Sequence, residues 1–332
     1  MLSFRPLFPP FELVLITTTR CNLACRECCF GCRPENRAAM DFEQMKNYID
    51  TCLEAYPDSL RILSITGGEC MLIEEDVMRA IEYASSKGIK TNMITNGFWA
   101  KSYKKAYETI KKLKSLGLYD IAVSTGDRNQ IYDTFRGCRN VVVAAARLGI
   151  GTEIRLFVNF GKSDYLQLLN NDKILTKLIK QERIRYVILD WSKDFSNETT
   201  NGRLHPTRCR PWNNGKPCDS LFKSIILTPY GDVMACCGIS CARIPYMRLG
   251  NINEDCGIRA IYNRAFADAL KVWLHKKGPG AILRYVYDHT DLRIHHTHGT
   301  RCLQCQEIFE NPKILPFLKQ SYHDWRSEIQ TL

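Results

Sequence analysis

Between Glu12 and Trp191 the hydrophobic positions follow two alternating rhythms. Short runs rich in β-branched and other apolar residues occur at Leu13–Thr17, Arg61–Thr66, Lys90–Thr95, Asp120–Ser124, Glu153–Val158 and Arg185–Leu189. Between them, apolar residues recur three and four apart at Asp41–Ala55, Glu75–Ser86, Ser102–Leu116, Arg139–Leu148 and Asp164–Ile179. The first rhythm predicts strands and the second amphipathic helices. In Ser102–Leu116, Tyr103, Ala106, Ile110 and Leu113 share one face and the lysines take the other. Asp41, Ser102 and Asp164 are the expected N-caps. Gly88, Gly117 and Gly149 each stand between a helix and the next strand, where a left-handed residue ends the helix. Six strands with helical crossovers predict an α/β fold with a parallel sheet and functional loops at the strand C-termini. The pattern alone fits either an open doubly wound sheet or a curved partial barrel.

After Trp191 the rhythm changes. Residues 192–217 are polar and rich in Pro, Gly and Asn, the composition of a linker or lid. "FKSIILTPYGDVMAC" predicts a β-hairpin turning at Tyr230–Gly231. Ile258–Lys276 predicts one amphipathic helix, with Ile258, Ile261, Phe266, Leu270, Trp273 and Leu274 on its buried side. A last helix is expected after Pro312.

The chain has 332 residues, 45% hydrophobic and 24% charged, the balance of a globular protein with a sizeable core. "MLSFRPLFPP" places prolines where a secretion signal needs an apolar stretch. The longest apolar run, "NVVVAAARLGI", is too short to span a bilayer. A cytoplasmic location without a membrane partner is therefore expected. There, sixteen cysteines point to metal or redox chemistry rather than to disulfides. The net charge of +11 suits an anionic substrate or partner, or simply a solvated basic surface, densest over Lys101–Lys114.

Five cysteines crowd "RCNLACRECCFGC", Arg20–Cys32, directly after the first strand. Two overlapping C-x3-C-x2-C sets exist: Cys21, Cys25 and Cys28, or Cys25, Cys29 and Cys32. Three thiolates on one short loop can hold three irons of a [4Fe–4S] cluster and leave the fourth open. A zinc loop would call for four ligands, usually in two separated pairs.

The flanking residues favour the first set. "TTTRCNLACREC" resembles the cysteine motif of the radical S-adenosylmethionine (radical SAM) superfamily, down to Asn22. Glu27 departs from it, because the family often has an aromatic residue before the third cysteine. "ITGGEC" carries Gly67, Gly68 and Glu69 at the end of the second strand, similar to the family's GGE motif. "TNG" (Thr95–Gly97) ends the third strand, "VSTGD" (Val123–Asp127) the fourth, and "YDTFRG" holds Arg136. The resemblance implies a partial (β/α)6 TIM-like barrel over residues 11–191. It also implies a [4Fe–4S] cluster on Cys21, Cys25 and Cys28, with S-adenosylmethionine on its open iron. Gly67, Gly68, Glu69, Asn96, Ser124 and Arg136 would surround that cofactor. Glu69 would receive its ammonium and Arg136 its carboxylate, and an electron donor such as flavodoxin or ferredoxin would serve the cluster.

Cys218, Gly231 and Cys236 are spaced C-x12-G-x4-C, and Cys302 and Cys305 form a later C-x2-C. This resembles the twitch domain, a shortened SPASM domain with one auxiliary [4Fe–4S] cluster. It implies a small hairpin-plus-helix domain over residues 218–310, followed by a C-terminal helix over 311–332. Strand arithmetic would put Cys218 roughly 23 Å back along a straight strand. The chain must then bend around Asp219–Leu221 for both cysteines to serve one site. A zinc ribbon is the alternative, and Cys209, Cys237, Cys241 and Cys256 are alternative ligands. His295–Gly299 ("HHTHG") reads as a solvated loop or a metal site, Asp190 as a site residue or a turn cap. Of Arg155 and Asn159, at most one lines the site.

The expected activity is reductive cleavage of S-adenosylmethionine to a 5′-deoxyadenosyl radical. That radical would abstract hydrogen from an unactivated carbon of a peptide, or of a small molecule in natural-product biosynthesis. Transfer of a fragment of S-adenosylmethionine is an alternative. A peptide maturase lacking its own leader-binding domain, as a barrel starting near Phe11 suggests, would need a separate leader-binding protein. From another class, a zinc-stabilised nucleic-acid-binding protein rests only on the basic charge and the Cys/His count, so nucleic acid is not the expected partner.

Overall fold

The structure, a computed structural model, describes residues 9–25, 28–127, 134–158, 163–190, 216–238, 244–292 and 301–326. Glu27, Asn159, Trp191, Cys209, Cys241, His295–Gly299 and nearly all of 192–217 lie outside the described residues, as does the side chain of Asp190.

Six strands lie side by side in chain order, every adjacent pair parallel: β1 (Glu12–Ile16), β2 (Ile62–Thr66), β3 (Lys90–Thr95), β4 (Leu118–Gly126), β5 (Gly151–Val158) and β6 (Arg185–Asp190). The crossovers carry α1 (Phe42–Ala55), α2 (Glu74–Ser86), α3 (Tyr103–Ser115), α4 (Thr134–Leu148), α5 (Asp164–Asn171) and α6 (Lys173–Lys180). The order decides between the two architectures left open by the sequence. A doubly wound sheet needs a point where strand order reverses, and here it never does. Right-handed crossovers in one direction put every helix on the same face, which is the partial (β/α)6 arrangement.

The strands' alternation records the two faces. In β5, Thr152, Ile154, Leu156 and Val158 are buried, while Glu153, Arg155 and Phe157 are half-buried. The run "NVVVAAARLGI" becomes the middle of α4, where Val141–Ala146 are all buried, as for a helix covered on every side. Asp41 and Ser102 cap α1 and α3 through their side chains. Gly88, Gly117 and Gly149 adopt φ of 77°, 100° and 74° past their helices.

Three expectations need correction. Asp164 does not cap; Ser163 does, accepting the Tyr165 amide at 3.1 Å. The single helix expected to Ile179 breaks at Asp172, whose carboxylate accepts the Ile174 and Leu175 amides and so starts α6. The helix expected over Ile258–Lys276 is likewise two, α7 (Gly257–Ala267) and α8 (Ala269–His289), because Asp268 caps a new start through the Leu270 and Lys271 amides. In both places one aspartate offers the backbone a better partner than a continued helix does.

The chain divides into two compact units. One holds the strands and helices from Phe11 to Asp190 together with Leu227–Tyr230; the other holds the remaining described residues. In the second, β7 (Ser224–Leu227) neighbours β8 (Asp232–Met234), which pairs antiparallel with β9 (Arg248–Asn251). Helices α7 and α8 follow, then α9 (Arg301–Glu310), α10 (Ile314–Gln320) and α11 (Tyr322–Trp325). The last helix expected past Pro312 is thus two short ones. Trp325 stacks on Trp273 at 4.7 Å and donates its indole N–H to the Leu318 carbonyl at 2.6 Å. Among the described residues no helix is long and apolar enough to cross a membrane.

Candidate functional site

The cysteine loop leaves the C-terminal end of β1 and is tied at its neck. Cys21 N–H donates to the Arg33 carbonyl at 3.2 Å, and Arg33 N–H donates to the Thr19 carbonyl at 3.3 Å. Arg33 Nη1 then reaches the carbonyls of Cys25 and Cys32 at 2.8 and 2.9 Å, drawing the loop's middle toward its neck. Cys21 and Cys32 are buried with Leu23, and Cys25, Cys28 and Phe30 pack against them. Burial pushes the Cys21 thiol up to about 12, and the nearby Glu69, Cys25 and Cys28 push the same way. Cys28 is held low, chiefly because the Cys32 thiol donates to it, and Cys32 is raised correspondingly. Cys32 therefore adjoins two of the three expected ligands.

The loop after β2 fits against this neck with no space for side chains. A Cβ at Gly67 would lie 2.6 Å from the Thr18 carbonyl oxygen, and one at Gly68 would lie 2.0 Å from that of Arg20. Gly67 also needs φ of 141°, open to glycine at little cost. Glu69 is fully buried. Its Oε1 accepts the Thr95 hydroxyl at 2.7 Å and the Met71 amide at 3.1 Å, and its Oε2 accepts the Asn96 amide at 2.7 Å. Burial raises its carboxyl to about 7, against these hydrogen bonds. A carboxylate offers about four acceptor positions; the Cys70 thiol also approaches Oε1, at 3.9 Å, so Oε1 takes three donors and Oε2 one. Glu69 thus latches the second and third loops together.

The Thr95–Gly97 loop extends the network. Asn96 Nδ2 donates to Asn22 Oδ1 at 2.9 Å and approaches Cys21 Sγ at 3.9 Å. Thr95 Oγ1 accepts the Gly97 amide and the Trp99 indole, both at 3.1 Å. A Cβ at Gly137 would lie 2.4 Å from the Gly97 carbonyl oxygen, so the start of α4 backs onto this loop and carries the exposed Arg136 beside it. Ser124 Oγ is 3.4 Å from the Thr95 carbonyl, and Ser124 is the register partner of Arg155. Arg155 consequently shares Ser124's half-buried side of the sheet and pairs with Glu153 at 2.8 Å. The sequence could not decide that face.

In the second unit, Cys218, Cys236, Cys302 and Cys305 line one pocket with Ile244 and Met247. The required bend is a turn over Asp219–Phe222, with Phe222 at a left-handed φ of 62°. A break in α8 seats Cys218. Gly278 leaves helical geometry with φ of 78°, and Pro279 follows it with no N–H to give. There the Leu274 carbonyl accepts the Cys218 amide at 3.1 Å, and His275 Nδ1 lies 3.0 Å from the Cys218 carbonyl. Cys302 and Cys305 stand three apart on α9 and so share a face. A Cβ at Gly238 would come within 3.2 Å of Cys302 Sγ and 3.7 Å of Cys236 Sγ. Cys237 and Cys256 are exposed instead. No disulfide joins any of the described cysteines. Among the described residues, no three Cys, His, Asp or Glu converge on one point to hold a single metal ion.

The family profile of the radical SAM superfamily matches residues 15–150. The chain carries a radical SAM domain. It is similar to the antilisterial bacteriocin subtilosin biosynthesis protein AlbA of Bacillus subtilis (strain 168), with 23% identity over 298 residues, 81% of this chain and 61% of the relative. It is also similar to the putative peptide biosynthesis protein YydG of the same organism, with 25% identity over 124 residues, 37% of this chain and 38% of that protein. The matches thus span less than two thirds of either relative. Two solved structures are similar in shape. BtrN in complex with AdoMet and 2-DOIA gives a TM-score of 0.48 at 16% identity, over 82% of this chain and 89% of that one. Native anSMEcpe with bound AdoMet gives 0.49 at 15%, over 94% and 100%.

A match to the radical SAM domain implies S-adenosylmethionine and a [4Fe–4S] cluster, and the donor chemistry of the cysteine loop fits the latter. Cys21, Cys25 and Cys28 are soft thiol donors in mutual electrostatic range, and the nearby Glu69 carboxylate is already engaged. A buried thiol resists becoming a thiolate unless a cationic group displaces its proton, and iron does so. Arg33, Thr95, Trp99 and Gly137 shape the site without having been singled out as contacts. Of these, Thr95, in the TNG motif, and Gly137, next to Arg136, had a local sequence signal.

Proposed function

We propose that the protein is a radical SAM peptide-modifying enzyme with one auxiliary [4Fe–4S] cluster. The observation that carries the reading is the convergence of Cys21, the Gly67–Glu69 turn and the Thr95–Gly97 loop at the ends of three neighbouring parallel strands. Cys21, Cys25 and Cys28 hold the first cluster, and Cys218, Cys236, Cys302 and Cys305 the auxiliary one. When bound, the first cluster supplies the electron that splits S-adenosylmethionine and yields the 5′-deoxyadenosyl radical for hydrogen abstraction. The protein's part is to bind and orient. Gly67 and Gly68 let the backbone come close to the cofactor, and Glu69 takes its ammonium through Oε2, which holds a single amide. Arg136 takes its carboxylate, while Asn96 and Ser124 line the same mouth. Four thiolates saturate the auxiliary site, which suits electron transfer.

A peptide substrate is supported by the two relatives, named for a bacteriocin and for a peptide. The basic net charge of +11 suits an acidic peptide or leader partner. Anaerobic reconstitution tests the reading. About eight irons per chain are expected for two clusters, against about four for one, with 5′-deoxyadenosine formed on adding reductant and S-adenosylmethionine. A chain that stays iron-free, or never forms that product, refutes it. Mass spectrometry of a co-expressed candidate peptide then decides the substrate class.

A further inference from the structure

The pocket of Cys218, Cys236, Cys302 and Cys305 has a buried ammonium for a neighbour. Lys271 is 4% exposed, and among the described residues no other Lys or Arg is buried. Its Nζ lies 2.6 Å from Asp268 Oδ2 and 3.8 Å from the centre of the Tyr246 ring. Tyr246 in turn stacks on Phe309 of α9 at 4.7 Å. Burying an ammonium costs several kcal/mol even when it is paired, and lysine normally keeps its head in water.

Asp268 pairs with this ammonium, but the helix cap does not require it. Its carboxylate already accepts the Leu270 and Lys271 amides at 3.0 and 3.2 Å and bonds the Tyr246 hydroxyl. The cap is therefore complete without the lysine head. What the buried position provides is proximity to the cysteines: Leu274, one turn on from Lys271 in α8, and Met247, next to Tyr246, both line their pocket, and Phe309 under Tyr246 is one turn from Cys305 on α9. Arg301 also lines the pocket, but it is partly exposed and faces Asp219 at 3.4 Å.

We infer that Lys271 is the countercharge of this four-cysteine site and raises the reduction potential of the cluster bound there, with Asp268 and Tyr246 fixing its ammonium. The inference rests on the auxiliary-cluster reading above. A four-thiolate [4Fe–4S] centre carries about −2 when oxidised and about −3 when reduced. A fixed buried cation favours the more negative state, and its effect is large where water is excluded. Lys271 acts through the cluster and is a positioning residue, not a catalytic one.

The test uses the full chain with Cys21, Cys25 and Cys28 all replaced by alanine, so that any remaining iron–sulfur signal belongs to the second site. Iron is counted, and the potential is read by redox titration of the electron-spin signal. Lys271→Met is expected to shift the reduced-to-oxidised ratio at least tenfold toward oxidised, about 59 mV for one electron. Asp268→Asn keeps the cap but removes the opposing charge, so it should shift the ratio the other way. Lys271→Arg should stay near the parent. A merely structural role would not produce shifts of opposite sign. If the parent holds no iron, the cluster reading and this inference both fall. If it holds iron and Asp268→Asn does not raise the potential, the Lys271 inference alone falls, even should Lys271→Met fail to fold.

Discussion

Gly68→Ala probes the junction on which the radical SAM site depends. The added methyl would stand 2.0 Å from the Arg20 carbonyl oxygen and 3.1 Å from the Cys21 amide nitrogen. Ordinary contact is about 3.5 Å, so the carbonyl must retreat by about 1.5 Å or the turn must open by as much. The same oxygen accepts the Glu69 amide at 2.9 Å, and losing that bond costs about 1 kcal/mol. Overpacking adds about 1–3 kcal/mol, so a loss of roughly 2–4 kcal/mol is expected. Because Cys21 moves with Arg20, catalysis should suffer more than folding. Misplacement by about 1 Å at a reacting centre costs on the order of 100-fold. The assay is iron content and the initial rate of 5′-deoxyadenosine formation, beside a melting curve. Gly88→Ala is the control: φ there is also left-handed at 77°, yet nothing lies within 4 Å. It should cost about 1–2 kcal/mol of stability and leave iron and rate alone. Gly68→Ala with parental iron and a rate within about threefold of the parent would refute the close-approach argument.

Further outcomes follow from other contacts. Cys21→Ala should abolish 5′-deoxyadenosine formation whereas Cys32→Ala should retain it; an equal loss in both would mean the wrong register. In metal-free protein, Glu69 sits near 7 against an ordinary 4.5, so the folded state keeps a proton that the unfolded chain releases first. Stability should fall as pH rises through that window, by on the order of 3 kcal/mol in full; denaturant titrations should show Glu69→Gln lacking this slope. Asn96→Ala removes the bonds to Asn22 and toward Cys21 and should lower iron retention during gel filtration more than it lowers the melting temperature. Trp325→Ala removes a ring stacked on Trp273 and should cost about 3–5 kcal/mol in thermal unfolding, with iron bound at Cys21, Cys25 and Cys28 unchanged.

The barrel was legible because each of its strands and helices has its own rhythm, and strand order follows once crossovers are short and right-handed. The helix breaks at Asp172 and Asp268 were not legible. An aspartate reads the same on a helix surface as at a cap, and only the competing amide partners decide. The Asp268 break hid Lys271, which a continuous helix would have left among ordinary polar positions. Arg155 shows the complementary limit: alternation says that odd and even residues part company, but register against Ser124 is needed to say which side faces the site. The Cys218 bend was required by distance alone, while its anchor, the Leu274 carbonyl at the Gly278–Pro279 break, depends on contacts far apart in sequence.

The neck formed by Cys21, Arg33 and Thr19 is closed by backbone hydrogen bonds and by one guanidinium, all of them N–H···O bonds within the chain. A protein that has shed its cluster should therefore keep this neck. Damage by oxygen would then be repairable by reloading inorganic iron and sulfide into a standing fold, with no refolding step between.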